Sequence, residues 1–332
     1  MTHSGFAAND RAAPPSSPPS SDPRPASSLA RPRLLLPALL LNLLIASGTF
    51  LVAKETLREF PPLPLAAIRI LLATALLWPA QRLITPDVRI AAGDRKRVFL
   101  LGLLGVALNQ GLFLLGMRWA SVSHAALLYA LTPSFVVLFG MGRERRPTLL
   151  QVTGIALAFA GVFTLLLHRG LHFETASLRG DLIVFVAVIS WALYFVLGRD
   201  VSRRYGSLPV TAQAMLGGAL AVLPFAWVGL GDFHPAAITL KGWLGLLYLA
   251  WLTSGLNYVI WFWGLQHLKP ATVALITNLQ PIVAVAMAWV FLREPLPAGF
   301  VLSTALVLGG VWLTQWNALR ATAAALGPSR GG

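Results

Sequence analysis

The residues of this sequence that could recognise a solute are polar or charged side chains inside long apolar runs. Arg69 is the clearest, because it follows Pro64 within an apolar run over residues 64–80. An arginine at the centre of a bilayer costs about 2.5–3.5 kcal/mol on insertion scales, so it usually faces protein or water. We expect Arg69 to attract an anionic group of a solute. The alternative is an arginine whose long side chain reaches the membrane interface.

Two prolines, Pro133 and Pro281, interrupt two other apolar runs and lie 148 residues apart. A proline inside a helix removes a hydrogen bond and crowds the preceding turn, so that a helix carbonyl is freed. Ser134, Asn278 and Gln280 flank the two prolines. Paired interruptions in two halves of one chain are typical of a transporter's binding site, so we expect these groups to bind a solute. Alternatively, neighbouring helices satisfy the kinks and no ligand is bound.

Amide side chains also recur at the same offset. Asn109 corresponds to Asn257, which is followed by Tyr258. Because buried amides need hydrogen-bond partners, these residues either contact a solute or join one helix to another.

Three aromatic residues, Tyr129, Trp191 and Tyr194, could form a stacking wall for a flat or cationic solute. The competing interpretation is that they belong to interfacial belts or to ordinary core packing.

Acidic residues and histidines give no catalytic pattern. The sequence has no cysteine and no metal-binding His-Glu-x-x-His pair, which excludes thiol chemistry and argues against a membrane enzyme, a metal site or a cofactor. Its 12 acidic residues fall in tails, loops or helix ends, so coupling to protons has no support. We expect His124 to be a structural residue near the outer interface, and the alternative is a member of a proton relay. Glu144 and Glu294 are expected to pair with nearby arginines.

The elements that position these side chains are membrane spans. Only 11% of the residues are charged, whereas soluble domains average about 25%. Each apolar run is near the 17–25 residues that cross about 30 Å of hydrocarbon. The ten runs are 34–53, 64–80, 98–117, 121–140, 149–167, 181–198, 210–230, 243–264, 271–292 and 298–316. The sequence therefore predicts an all-α integral membrane protein with ten transmembrane helices, and its net charge of +14 indicates membrane orientation rather than nucleic-acid binding.

The two halves are predicted to be repeats in opposite orientations. The offset of 148 residues that relates the two prolines also pairs Gly116 with Gly264. Five helices per half is an odd number, so the second half must enter the membrane from the opposite side. Most of the 26 Lys and Arg residues lie on the side of the termini, which predicts that both termini are cytoplasmic and that the protein lies in the inner membrane.

The predicted organisation has four parts. They are a disordered cytoplasmic tail over 1–32, a first five-helix repeat over 33–168, a second five-helix repeat over 179–317, and a cytoplasmic tail over 318–332.

Several short motifs carry a family resemblance. Arg143-Glu144-Arg145 and Arg293-Glu294-Pro295 follow the two kinked helices, and Gly180-Asp181-Leu182 precedes a segment beginning Ser190-Trp191. In this order they resemble the EamA-type transporters of the drug/metabolite transporter superfamily. The resemblance covers residues 33–316. It implies ten helices, a central cavity between the repeats and secondary transport of small metabolites, often efflux.

We therefore expect a secondary transporter, and more specifically an exporter, of a small metabolite such as an amino acid or a drug-like solute. Access would alternate around a cavity at the membrane midplane. The alternatives are a flippase for a lipid or lipid-linked sugar, and a non-transporting receptor or assembly subunit. The expected partners are a small-molecule substrate and the lipid bilayer, and the chain is expected to be a monomer or a homodimer.

Overall fold

The computed structural model describes residues 32–140, 147–171, 175–257, 260 and 278–326. Its helices are α1 (Pro32–Thr56), α2 (Pro62–Ile84), α3 (Ala92–Gly102), α4 (Asn109–Met117), α5 (Val122–Tyr129), α6 (Thr132–Gly140), α7 (Leu149–Leu171), α8 (Thr175–Tyr205), α9 (Ser207–Ala226), α10 (Leu240–Leu247), α11 (Gln280–Leu292) and α12 (Ala298–Leu326). All regular structure in these ranges is helical, which confirms the all-α prediction.

Two π-helical segments and two 3₁₀ turns complete the described elements. The first π segment, Leu103–Leu108, joins α3 to α4, and the second, Tyr248–Leu256, continues α10. The 3₁₀ turns, Trp227–Asp232 and Pro235–Ala237, follow α9.

Eight helices in the described ranges are long and apolar enough to cross a membrane. They are Leu36–Thr56, Pro62–Ile84, Ala92–Met117, Val122–Gly140, Leu149–Leu167, Ser177–Tyr205, Ser207–Phe225 and Ala298–Trp316. A ninth candidate is the pair Gly229–Ala237 and Leu240–Leu256, which is bent by 120°. The ninth predicted run, 271–292, is described only from residue 278, and its helix α11 is shorter than a full span.

Large apolar side chains on the outside of the bundle identify its solvent as lipid. Leu149 is 80% exposed, Leu240 75% and Trp227 78%. Soluble monomers rarely present contiguous apolar surface of this kind. The described part of the chain buries one main apolar cluster, to which Phe50, Leu127 and Val307 belong, together with two smaller clusters. The helices thus turn apolar residues both inward and outward.

Helices α7 and α12 pack closely along a seam. A Cβ atom on Gly154 would lie 2.6 Å from the backbone nitrogen of Thr314, and one on Gly161 would lie 2.8 Å from the carbonyl of Ser303. Only glycine allows this approach of the two backbones. Because the earlier residue of α7 meets the later residue of α12, the two helices run antiparallel.

The described contacts define two ends of the bundle. At one end, which we name the Glu294 end, the end of α11 meets the start of α5. At the other end, which we name the Asp94 end, Asp94 accepts hydrogen bonds from Arg204 at 3.0 Å and Tyr205 at 2.7 Å. Arg97 also pairs with Asp200 there at 3.0 Å. These ion pairs join the start of α3 to the last turns of α8.

Candidate functional site

The fourth span is broken next to Pro133. Helix α5 ends at Tyr129 and α6 begins at Thr132. In an unbroken helix residue 133 would donate its N–H to the Tyr129 carbonyl, but proline has no such donor. The hydroxyl of Thr132 donates to that carbonyl instead, at 2.7 Å. The break is therefore locally satisfied, and it turns Ser134 to a fully buried position.

Tyr129 holds the centre of a polar and aromatic cluster. Its ring packs edge-on against Phe50 and Phe113, with centroids 5.6 Å apart in each pair. The side-chain amide of Asn109 donates to the Tyr129 hydroxyl at 2.8 Å and to the Ala187 carbonyl at 2.9 Å. The predicted residues Asn109 and Tyr129 are thus brought together, and Asn109 ties α4 to both α5 and α8.

Arg69 is buried within the bundle and is only 5% exposed. Its Nε donates to the Leu249 carbonyl at 3.1 Å and lies 3.2 Å from the Ser254 hydroxyl. The alternative of an arginine that reaches the interface does not describe this position, because the guanidinium is held against the second π segment.

The two π segments occupy corresponding places in the two halves. Residues 103–108 map onto 251–256 at the offset of 148, inside the second segment Tyr248–Leu256. Such widened turns often occur at functional sites, because they redirect backbone carbonyls. In the second segment the carbonyl of Leu249 accepts from both Arg69 and Ser254. Sequence reasoning missed both segments, since no proline or other breaker marks them.

Trp191 and Tyr194 stack on one another with centroids 5.2 Å apart and an interplanar angle of 8°. Tyr194 packs over the first π segment, where a Cβ on Gly105 would lie within 3.0 Å of the tyrosine Cβ. In the part of the chain that the structure describes, no ring contact joins this pair to Tyr129. The three predicted wall residues therefore lie in two separate aromatic groups.

The break in the second half lies against α1. Helix α11 begins at Gln280, with Pro281 in its first turn. The Ser47 hydroxyl donates to the Gln280 carbonyl at 3.2 Å, and the Gln280 amide donates to the Ala46 carbonyl at 3.4 Å. Ser47 and Phe50 lie on one face of α1, since residues three apart are helix neighbours. Through α1, Gln280 is thereby connected to the Tyr129 cluster.

Asn278 makes a reciprocal amide pair with Gln315, at 2.9 and 3.2 Å. Asn257 offers its backbone carbonyl to the amide of Asn42 at 2.9 Å, while its own side-chain oxygen is buried without a hydrogen-bond partner. Asn278 thus joins helices, as the alternative interpretation of the amides allows. Tyr258 lies outside the described residues.

Buried side-chain oxygens without hydrogen-bond partners occur in α4 and α6, and open space occurs at Gly111 of α4. The side-chain oxygens of Gln110 and Ser134 are buried without hydrogen-bond partners. Gly111 is buried too, yet a Cβ there would meet no atom within 4 Å, so there is room beside it. Unpaired buried acceptors are uncommon and call for an explanation such as water or a ligand.

Two cavities of about 360 and 400 Å³ lie at the Glu294 end and share Arg293. Glu55, Arg58 and Lys241 also line the first, where Glu55 pairs with Lys241 at 2.8 Å. Trp289 lines the second, on the exposed side of α11. The described residues contain no group of three or more His, Asp or Glu that could hold a metal ion.

For two acidic residues at this end, Glu294 and Asp181, the structure differs from the sequence prediction. Within the described ranges, no ion pair joins Glu294 to an arginine. Its carboxylate accepts from the backbone N–H of Val122 at 2.8 Å and of Ser123 at 3.0 Å. Asp181 is not at a helix end but within α8, fully buried, and its carboxylate lies 2.8 Å from His124 Nδ1. The sequence gives no local signal for either contact, because Glu294 binds backbone donors and the residues His124 and Asp181 are 57 positions apart.

A helical bundle with at least eight membrane-length apolar helices, and with charged and amide side chains buried at breaks in those helices, defines a multi-pass membrane protein. The EamA-like transporter family matches residues 34–167 and again 178–316. The chain therefore belongs to this family of membrane transporters.

Related proteins agree with this assignment. An uncharacterized transporter of Archaeoglobus fulgidus is 29% identical over 279 residues, which cover 83% of this chain and 95% of the relative. A probable terminal-alkyne amino-acid exporter of Streptantibioticus cattleyicolor is 28% identical over 243 residues, or 73% of this chain and 80% of the relative. A solved crystal structure shares the fold, with a TM-score of 0.58 and 20% identity over 87% of this chain and 99% of its own.

Proposed function

We propose that this chain is a secondary transporter that exports a small metabolite carrying a carboxylate, such as an amino acid, by alternating access. Ten spans would form two inverted five-helix repeats over 33–168 and 179–317, with the tails 1–32 and 318–332 in the cytoplasm. The observation that carries the proposal is the set of buried polar groups on the kinked and widened helices. Arg69 is held against the second π segment, and Asn109 bonds to Tyr129 beside the break at Pro133, with the unpaired acceptor of Gln110 and the open space at Gly111 next to Asn109 along α4.

The inverted arrangement is supported by helix directions and by helix contacts. Corresponding helices α7 and α12 run antiparallel, and the end of α11 meets the start of α5. In one pair of equivalent contacts, α4 of the first half packs on α8 of the second, and α1 of the first half packs on α10 and its π segment. In another pair, α9 packs on the first π segment, and α2 packs on the second. In these two pairs of contacts the halves are exchanged, as expected for two similar halves.

Substrate chemistry follows from the charges near the centre. Arg69 supplies a fixed positive charge that a carboxylate would approach. The Asn109 amide supplies its oxygen as an acceptor, and the Gln280 amide supplies a donor and an acceptor. The exporter of a terminal-alkyne amino acid among the relatives supports this substrate class. The aromatic pair Trp191 and Tyr194, and the second-half residues Asn257, Tyr258, Asn278 and Pro281, would line the path rather than hold the carboxylate.

Orientation is proposed from the charge bias. With both termini cytoplasmic, the Asp94 end faces the cytoplasm and the Glu294 end faces outward. Because the chain has no cysteine, single cysteines can be introduced as membrane-impermeant labelling sites without background. We expect a cysteine at Pro297 to be labelled from outside in intact cells and one at Arg89 to be labelled only after permeabilisation. Labelling of both from the same side would contradict the inverted topology.

Uptake into proteoliposomes tests the function. Counterflow of a panel of radiolabelled amino acids is compared for the wild type, Arg69→Gln and Arg89→Ala, whose arginine is exposed. We expect at least a tenfold loss of flux in Arg69→Gln and none in the control. Scrambling of fluorescent phospholipids without amino-acid flux would favour the flippase, and the absence of both with a folded protein would favour a receptor or assembly subunit.

A further inference from the structure

Three cationic side chains from separate elements line the first cavity at the Glu294 end. Arg58 follows α1, Lys241 lies in the first turn of α10, and Arg293 ends α11. Glu55 is the one acidic residue among the described residues that line this cavity, so the lining carries a net charge of +2. Because α1 belongs to the first half and the other two helices belong to the second, the cavity is a positively charged site between the two halves.

Glu55 holds two of these cations beside the cavity. Its carboxylate pairs with Arg58 at 3.1 Å and with Lys241 at 2.8 Å, and its own side chain is only 18% exposed. The side chains of Arg58 and Lys241 are 69% and 73% exposed, so they keep donors that face outward. One carboxylate between two cations leaves this group positive, and a further anion can therefore approach it.

Arg293 differs from the other two cations in its contacts and in its backbone. Within the described ranges, no hydrogen bond or ion pair engages its guanidinium, and the residue is exposed. Its φ of 52° is left-handed, and no other described residue except a glycine has a positive φ. A glycine would make the same turn without strain, because it has no Cβ. An arginine at a position that favours glycine indicates that its charge has a use.

The second cavity shares Arg293 and lies on the lipid-facing side of α11. Trp289 and Val290 line it and are 60% and 59% exposed, and the next residue, Phe291, is 67% exposed. Glu294 lines it too, but its carboxylate accepts from the first N–H groups of α5, where a negative charge is favourable. The positively charged site thus continues into an apolar surface, and a tryptophan beside a cation is typical of a membrane interface.

We propose that Arg58, Lys241 and Arg293 bind the phosphate of an anionic phospholipid whose acyl chains lie along Trp289 and Val290. A phosphate accepts charge-assisted hydrogen bonds from Arg and Lys, and a headgroup with a net negative charge complements the positive lining. A soluble anion would satisfy the cations but would leave the exposed apolar surface beside Arg293 without a role. The bound lipid connects α1 with α10 and α11 at the Glu294 end. The proposal does not depend on the transport function proposed above.

Lipid binding to the purified protein in detergent tests the site. Native mass spectrometry gives apparent dissociation constants for dioleoyl-phosphatidylglycerol, which is anionic, and for dioleoyl-phosphatidylcholine, which is zwitterionic. We expect the wild type to bind phosphatidylglycerol more tightly, and Arg293→Gly to bind it about fivefold more weakly than the wild type. Arg293→Lys keeps the charge and should keep most of the affinity. Arg118→Ala is the matched control, because Arg118 is an exposed cation of the same end that lines neither cavity.

Thermal unfolding in the same detergent guards against misfolded variants. Without lipid, Arg293→Gly should unfold at the wild-type temperature or above it, because glycine adopts the left-handed turn freely. Phosphatidylglycerol should raise the unfolding temperature of the wild type, Arg293→Lys and Arg118→Ala, but not that of Arg293→Gly.

Glycerol phosphate, which is the headgroup without its chains, separates a lipid from a soluble anion. We expect it to stabilise the wild type much less than phosphatidylglycerol does. Equal stabilisation by the two compounds would overturn the lipid assignment. Equal affinity of the wild type for the anionic and zwitterionic lipids, or equal weakening of phosphatidylglycerol binding in Arg118→Ala and Arg293→Gly, would overturn the site itself.

Discussion

The carboxylate of Glu294 accepts the backbone N–H of Val122 at 2.8 Å, so the end of α11 is hydrogen-bonded to the start of α5. Arg293 makes this contact possible, because its left-handed conformation, with φ of 52°, ends α11 and turns the chain. The first N–H groups of a helix have no partners within the helix, and a carboxylate also suits the positive end of the helix dipole.

Removal of the Glu294 carboxylate should destabilise the protein. Glu294→Ala leaves two backbone donors of α5 without this acceptor, and we expect a loss of about 1–2 kcal/mol in the free energy of unfolding. Glu294→Gln keeps an oxygen acceptor and should lie between alanine and the wild type. The measurement is thermal unfolding in detergent followed by tryptophan fluorescence. Asp87→Asn, which changes an exposed loop carboxylate, is the control; equal shifts for Asp87→Asn and Glu294→Ala would contradict the capping role.

The hydrogen bond between Asn109 and Tyr129 should be measurable as a coupling between two substitutions. Tyr129→Phe keeps the ring that packs on Phe50 and Phe113 but removes the hydroxyl. Side-chain hydrogen bonds between membrane helices contribute about 0.6–1.7 kcal/mol. A double-mutant cycle with Asn109→Ala, read from unfolding in denaturing detergent, should give a coupling in this range. Strictly additive effects would mean that the hydroxyl and the amide do not interact in the membrane.

Sequence patterns predicted where the helices lie, but they did not predict which side chains contact one another between helices. Apolar length predicted eight of the helices, and Pro133 predicted the break in the fourth span, because a missing N–H acts locally on the chain. The burial of Arg69 was also foreseeable from the energy of a charge in lipid. The pairing of His124 with Asp181 was not, since it depends on how α5 packs against α8.

The two π segments also could not be predicted from the sequence. Leu103–Leu108 contains only residues with ordinary helical tendencies, yet it is widened where Tyr194 packs over Gly105. Widening of this kind is decided by neighbouring side chains and carbonyl acceptors, which a single sequence does not display. Among the predicted site residues, Asn109 and Tyr129 are in direct contact, while Trp191 and Tyr194 form a separate pair. Packing between helices decides both arrangements.

The break at Pro133 should respond to a pair of substitutions in opposite ways. Thr132→Val removes the hydroxyl that serves the Tyr129 carbonyl and should cost about 1–3 kcal/mol, because an acceptor in the bundle loses its partner. Pro133→Ala restores a backbone N–H that can take over. The loss caused by Thr132→Val should therefore nearly vanish in the Pro133→Ala background, as measured by thermal unfolding. An equal loss in both backgrounds would show that the hydroxyl acts elsewhere.

The seam between α7 and α12 should tolerate no added atom at Gly154. A Cβ there would lie 2.6 Å from the backbone nitrogen of Thr314, so Gly154→Ala must push two helices apart, and we expect it to cost about 1–3 kcal/mol. The same substitution at Gly111, where a Cβ meets no atom within 4 Å, is the matched control and should be neutral or should stabilise by up to about 1 kcal/mol. Thermal unfolding of both variants in one detergent decides the matter. Equal stability of the two variants would mean that the seam is looser than the contact of Gly154 with Thr314 requires, and that the two halves are held together elsewhere.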